Sequence, residues 1–412
     1  MNKYIDALVN YIKSNPNWKI DLKKAPYSLK TIKECTWHSN WYMFVYNLFD
    51  SDLTNDVVRG CRGTVLEIDN DVKIVSAPYT KFFGYGDPSG KDIENSINWN
   101  TAQIQSKIDG IIIKTACVEE NEEKRLYFFT NGSFDLNAPL DGNFVYDEKE
   151  TRNAKTYGDL LKYALIKADS SVKINFNEEI GYFYITGGWS DNIPLGSTIM
   201  MELTSPRNQI ICEYEETKLW VHGYRDPNLN EINPRELNFF PFDMPKLYNA
   251  HSFDEVRNIL KDFKGKEEEG VVVVDYNTVG TPRAKIKCDD YLRLKFARDT
   301  SNNSQVLFKA VVDNEYDDIV SAVPATLSKV EEIKKNIETL KKWFISQSFN
   351  IKNFETKKDY VMWVRATTKK DLFSYYMAMY NENVDNKFDR MMEVLSVKKH
   401  GYDELLKIIE EI

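Results

Sequence analysis

Long apolar runs are missing from this 412-residue chain, and no window approaches the roughly 18 uninterrupted apolar residues that a membrane-spanning helix needs. The first stretch, MNKYIDALVNYIKSNPNW, reads as an amphipathic helix broken by polar residues, not as the basic and then apolar pattern of a signal peptide. The expectation is a soluble, cytoplasmic protein. Cysteine is scarce: Cys35, Cys61, Cys117, Cys212 and Cys288 are odd in number, far apart and without a C-x-x-C pair, which excludes a disulfide frame and a cysteine zinc site. Cys61 alone has a setting of interest, between Arg59 and Arg62, whose charges would favour a thiolate. Histidine is scarcer still. His38, His222, His251 and His400 are scattered, so histidine-based metal or nucleophilic chemistry finds no support. A basic excess is also absent. The net charge of −9 argues against a broad, sequence-blind nucleic-acid surface and leaves room only for a local basic groove.

What is present is an ordinary globular composition, 42% apolar and 28% charged, in a chain long enough for two domains. Up to about residue 297 the pattern is mainly strand-like. The runs are GTVLEI (63–68), KIVSAP (73–78), GIIIKTACV (110–118), RLYFFT (125–130), STIMMEL (197–203), KLWVHGY (218–224) and GVVVVDY (270–276). After Ala297 helical periodicity takes over, in SKVEEIKKNIETLKKWFISQ, KDYVMWVRAT, DLFSYYMAMY and YDELLKIIEEI.

Four groups of residues carry possible chemistry. Lys107-Ile108-Asp109-Gly110 leads into a strand. A lysine there suits covalent nucleotidyl transfer if burial and neighbouring cations lower its pKa, and the glycine lets the backbone pass close to a nucleotide. Lys285 and Lys287 stand two apart on a strand, so both ammonium groups face one site and suit a polyphosphate. Glu202 lies inside an apolar run and Glu269 opens the Val271–Val274 run, where each carboxylate needs a partner: a lysine, a ribose hydroxyl or a hydrated magnesium. Arg62, Lys81 and Phe83 lie upstream, two cations for phosphates and a ring that can stack on a base. Each group taken alone is equally satisfied by a bland role: a surface turn, an edge-strand lysine pair, a structural salt bridge, a core aromatic.

Their order along the chain resembles that of the covalent nucleotidyltransferases, and within them the bacteriophage RNA ligase 1 family. K-x-D-G at 107–110 is followed by Glu202, then KLWVHGYR (218–225), then Glu269-Gly270, then K-x-K at 285–287. CRG (61–63), KFF (81–83) and KIKCDDY (285–291) point to the RNA ligase branch. The resemblance implies an α+β fold: an adenylyltransferase domain over 1–297 on antiparallel sheets with flanking helices, then an all-α domain over 298–412 that helps select tRNA-like RNA. It implies Lys107 as the residue that takes AMP from ATP, with Lys285 and Lys287 beside it in catalysis. Arg62, Lys81, Phe83, Asp109, Gly110, Glu202, Glu269 and Gly270 would bind the nucleotide, and Glu202 and Glu269 would serve magnesium or manganese.

The implied substrate is RNA with a 5′-phosphate and a 3′-hydroxyl, a nicked tRNA first among candidates, handled by a monomer away from any membrane. Two positions depart from the family pattern. Ile108 replaces an acid at a variable place, and Asn131 of TNGS (130–133) stands where a basic residue is usual. Capping-type guanylyltransferases and DNA nick ligases share the covalent chemistry but resemble one another in a β-rich tail, which this sequence lacks. A non-catalytic nucleotide- or RNA-binding protein is the other alternative.

Overall fold

Alternation along the strands decides the layering of the first of two units, Met1–Tyr291, in the computed structural model of the protein. The structure describes residues 2–47, 50–86, 93–140, 148–301, 303–313, 316, 319–320, 326–351, 354–367, 377 and 384–411. The strands are β1 (Thr31–Glu34), β2 (Trp41–Val45), β3 (Arg62–Ile68), β4 (Val72–Ser76), β5 (Gln103–Ser106), β6 (Ile111–Glu120), β7 (Glu123–Thr130), β8 (Lys173–Phe176), β9 (Phe183–Thr186), β10 (Thr198–Thr204), β11 (Lys218–Arg225), β12 (Glu231–Ile232), β13 (Leu247–Tyr248), β14 (Gly270–Val274) and β15 (Arg283–Lys287). They form a four-stranded sheet β1-β2-β3-β4, a seven-stranded sheet β12-β11-β10-β6-β7-β9-β8, and a second four-stranded sheet β13-β5-β14-β15. Their ladders are antiparallel.

In β7, Leu126 and Phe128 point to one side and pack with Leu161 and Leu165 of the helix Tyr157–Ala168. That helix starts with a capping box, in which Thr156 accepts from Asp159 N and the Asp159 carboxylate accepts from Thr156 N. Tyr127 and Phe129 point to the other side and meet Trp41, Met43 and Val65 of the first sheet. Tyr42, Phe44 and Leu66 carry that sheet's opposite face onto Leu8 and Ile12 of the helix Lys3–Ser14. A period of two thus stacks helix, sheet, sheet and helix in one order, because each residue's parity fixes the layer it fills.

The second unit, Leu292–Ile412, is helical where it is described. Its core joins Leu307 and Phe308, then Val330, Ile333, Leu340 and Phe344 at helical spacing, then Tyr360, Val364, Leu395 and Leu405. Phe344 and Tyr360 of the aromatic-basic stretches KKWF and YVMWVR are therefore core residues. Most of DLFSYYMAMY lies outside the described residues. Among the described residues no helix is long and apolar enough to cross a membrane.

All five cysteines are free and buried. Cys61 does not become a thiolate: burial pushes its pKa up, and its thiol donates to Val57 O at 3.2 Å. The arginines on either side lose to desolvation.

Candidate active site

A cavity of about 300 Å³ lies between faces of the seven-stranded sheet and the β13-β5-β14-β15 sheet. The smaller sheet lines it with alternate residues: Gln105 and Lys107 at and just past β5, Val272 and Val274 on β14, and Arg283, Lys285 and Lys287 on β15. The larger sheet adds Ile112, Glu202 and His222 from β6, β10 and β11, and Arg62, Tyr79 and Phe82 complete the wall.

Register places the lysines. Ser106 pairs with Val271 and Gly270 pairs with Lys287, while Lys107 N donates to Gly270 O at 2.8 Å. Gly270 therefore lies across the sheet between Lys107 and Lys287. It must be glycine, with φ +150° and a β-carbon that would run into Ile286 O. One residue earlier, Glu269 is only 2% exposed, and its Oε2 stands 2.5 Å from Lys107 Nζ and its Oε1 2.8 Å from Lys287 Nζ. A buried carboxylate shared by two lysines satisfies the requirement that a desolvated charge be paired.

The lysines are tuned in opposite directions. At Lys107 burial pulls the pKa down, but the carboxylates of Glu269, Glu202 and Asp109 outweigh it and hold the group above the ordinary lysine value. The sequence-based expectation of a lowered pKa is corrected here: the nearest charge is an acid, not a cation. At Lys285 burial and then the charges of Lys81, Arg62, Lys107 and Lys287 lower the pKa to about 8. The cationic crowding expected around the nucleophile falls on Lys285 instead.

Glu202 accepts from Gly110 N at 3.3 Å through Oε1, and its Oε2 lies 3.5 Å from His222 Nε2. Tyr79 stacks on His222 and donates from its hydroxyl to His222 O at 2.7 Å. Gly110 is glycine because β10 passes so close that a β-carbon would sit 2.5 Å from Leu203 O. A neighbouring strand thus makes one close approach here, and Gly110 also lines the cavity. Asp109 is buried and turned from the cavity, accepting from Ile211 N (2.8 Å), Cys212 N (2.9 Å) and the Tyr291 hydroxyl (2.8 Å). It anchors the turn that presents Lys107.

Phe82 lines two adjoining cavities and Phe83 one of them. Tyr85 N donates to Lys285 O and Lys285 N to Phe83 O, so this segment runs beside β15 in extended form. Phe82 then lines the cavity with Lys107, while Phe83 and Lys81 line a neighbouring one. Arg62 lies 5.3 Å from the Phe82 ring centre, and its Nη1 is buried without a hydrogen-bond partner among the described residues.

Sequence reasoning missed Gln105, Tyr79, Phe82, His222 and Arg283. For His222 the signal was available, since strand alternation in KLWVHGYR carries one face through Trp220 and His222. It also missed Lys114, fully buried, whose Nζ donates to Gly63 O and whose pKa burial and Arg62 drive well below the ordinary value. A β-carbon on Gly63 would meet Asn131 O at 2.6 Å and Lys114 Nζ at 2.8 Å, so Lys114 lies close to Asn131, but its lowered pKa makes it no substitute for the missing charge.

No three metal-ligating side chains come together among the described residues. Glu202 lines the cavity, with Glu269 behind Lys107 and Lys287, and a carboxylate so placed suits a magnesium that keeps most of its water. Glu202 is the freer of the two, because both Glu269 oxygens are committed to lysines.

A family model described as RNA ligase matches residues 60–316, more than half of the chain and all of the cavity's lining residues. A protein of Autographa californica nuclear polyhedrosis virus, described as a bifunctional polynucleotide kinase/RNA ligase, is 25% identical over 300 residues. That match covers 69% of this chain and 38% of the viral protein. The chain belongs to the RNA ligase family of the phage T4 RNA ligase 1 type.

Proposed function

We propose that the chain is an ATP-dependent RNA ligase in which Lys107 carries AMP. The observation that supports this best is the triad Lys107–Glu269–Lys287 with Lys285 and Arg62 around one cavity. It sets an amine nucleophile among cations able to hold a triphosphate. In the first step Lys107 Nζ, having lost a proton, attacks the α-phosphorus of ATP. A P–N bond forms and pyrophosphate leaves, its charge offset by Lys285, Lys287 and Arg62. Next, an oxygen of an RNA 5′-phosphate attacks the same phosphorus. The P–N bond breaks, its electron pair returns to Nζ, which takes up a proton, and a P–O–P bridge joins AMP to the RNA. A 3′-hydroxyl then displaces AMP and seals the strand.

Glu202 and Glu269 would hold magnesium or manganese through water beside the phosphates, and the ion would offset charge on the departing pyrophosphate. A broken tRNA anticodon loop is the RNA end we favour, and the helical character of Leu292–Ile412 favours it over the β-rich tails of capping enzymes and DNA ligases. We take the enzyme to act as a monomer.

The test is transfer of label from α-labelled ATP to the protein with magnesium, wild type beside Lys107→Ala, read on a denaturing gel. A band present in the wild type and lost in the variant is the expected result. Label from GTP alone would move the protein to the guanylyltransferases. No band with either nucleotide, from folded protein not already loaded, would leave a non-catalytic binder.

A further inference from the structure

A second cavity, of about 510 Å³, adjoins the first and shares Phe82 and Arg283 with it. It is larger than the nucleotide cleft, and its charge is distributed unevenly. Arg283 is paired with Glu231 at 2.5 Å, an acid it shares with Arg225, and Lys3 is weakly paired with Asp56 at 3.7 Å. Arg59 and Lys81 have no acidic partner among the described residues. The Arg59 guanidinium lies 4.0 Å from the Tyr4 ring centre and 5.4 Å from that of Phe83, and Lys81 Nζ lies 5.3 Å from Phe83. Arg59 Nη2 donates to Lys81 O at 3.3 Å, Lys81 N donates to Arg59 O at 3.1 Å, and Arg59 Nε is buried without a hydrogen-bond partner among the described residues. The two cations are thus fastened to each other through their backbones and held against aromatic faces, with donor capacity left over.

We infer that this second cavity receives the 5′-phosphate-bearing terminal nucleotide of the RNA, with Arg59 and Lys81 on its phosphate. The inference rests on the ligase reading above. Two free cations match one phosphate dianion, and aromatic rings beside them suit an attached nucleoside, which a bare pyrophosphate would not need. The nucleotide cleft already has Arg62, Lys285 and Lys287 for the phosphates of ATP. Lys81 is close enough to Lys285 to lower its pKa, so a phosphate held by Lys81 lies within reach of the site where AMP is bound.

The experiment uses Arg59→Met, which keeps an unbranched apolar stem and removes the charge. Wild type and variant are loaded with labelled ATP, then given a 5′-phosphorylated oligoribonucleotide below saturation. Loading should match wild type, which also reports on folding, while transfer of AMP to the RNA should fall roughly tenfold to a hundredfold, the loss expected for one charged hydrogen bond. Unchanged transfer overturns the inference. Impaired loading with normal transfer also overturns it and assigns the cavity to pyrophosphate. A second measurement needs no catalysis: fluorescence binding of 5′-phosphate and 5′-hydroxyl oligomers. Wild type should prefer the phosphorylated end and Arg59→Met should lose that preference, so a protein that never loads AMP would sink the ligase reading while this comparison still decides the site. Equal binding of both oligomers by wild type refutes it.

Discussion

Replacing Glu269 with Gln keeps the shape of a side chain 2% exposed and removes the one negative charge shared by Lys107 and Lys287. Deleting one partner of a buried ion pair costs about 3–5 kcal/mol, because the other charge stays behind. Here the two lysines are 25% and 24% exposed and can turn toward water in the cleft, so the lower end applies. A loss of about 3 kcal/mol at neutral pH corresponds to a fall of roughly 5 °C in Tm for a unit of this size. The sign of the pH dependence follows from Lys107, whose pKa in the folded protein lies above the ordinary value. Its contribution is complete below the unfolded-state pKa of about 10.4 and is lost as pH rises through the folded value. The gap in Tm between wild type and variant should therefore hold through neutrality and close only in the strongly alkaline range. A second readout is the rate of AMP loading in single turnover. Wild type should climb with pH across the whole neutral and mildly alkaline range. In Glu269→Gln the downward pull of burial is opposed only by Glu202 and Asp109, so the climb should begin at lower pH even though the amplitude falls. A climb that stays in place or moves upward, with chemistry limiting the rate, refutes the electrostatic account of the nucleophile.

Gly110→Ala places a β-carbon 2.5 Å from Leu203 O, a backbone atom of a central strand that cannot step aside. It should lose about 1–3 kcal/mol in denaturant melts and most AMP loading, because the turn that carries Lys107 must move; wild-type loading would refute this. Lys285, with its pKa lowered to about 8, should lose charge within the working range. Affinity for pyrophosphate, measured by calorimetry, should weaken as pH rises through about 8 in wild type. In Lys285→Met it should be weaker at neutral pH and nearly flat, and equal pH slopes for the two proteins would contradict the assignment.

The strands that the sequence made legible are those with strong apolar content, such as β3, β6, β7, β10, β11 and β14. Of those it hid, β5 reads Gln-Ile-Gln-Ser and β8 Lys-Ile-Asn-Phe, too few residues for alternation to register, while β2, Trp-Tyr-Met-Phe-Val, is apolar on both faces and shows no alternation at all. The hidden β5 is the strand that delivers Lys107, so the motif could be read while its mounting could not. Lys285 and Lys287 were legible as a same-face pair because period two is local. Their partner across the sheet was not, since pairing Gly270 with Lys287 depends on register. Asp109 and Gly110 were read as nucleotide contacts; Gly110 does line the cavity, while the groups that fix the two residues, Tyr291, Cys212 and Leu203, are remote in sequence. Phe83 was singled out, while it is Phe82 that lines the cavity with Lys107, and the bridge between Gly84 and Lys285 that sets this segment beside β15 depends on a partner remote in sequence.

The charges around the two cavities fall into two sets, and the division explains how a chain of net charge −9 can offer a basic site. Lys107 and Lys287 are tied to Glu269, and Arg283 to Glu231, at 2.5–2.8 Å. Each of these cations is held in place by a buried acid, and because Lys107 and Lys287 share one carboxylate they still add to the positive charge felt at Lys285. Arg62, Lys285, Lys81 and Arg59 have no acidic partner among the described residues, and they cluster closely enough that the charges of Lys81 and Arg62 help lower the pKa of Lys285. That mutual repulsion is unfavourable in the free protein and is relieved by an incoming anion, so it biases the site toward phosphates without a basic surface elsewhere. A net charge of −9 gives the chain little general attraction for nucleic-acid backbones, so the local cluster of cations is what favours a phosphate here.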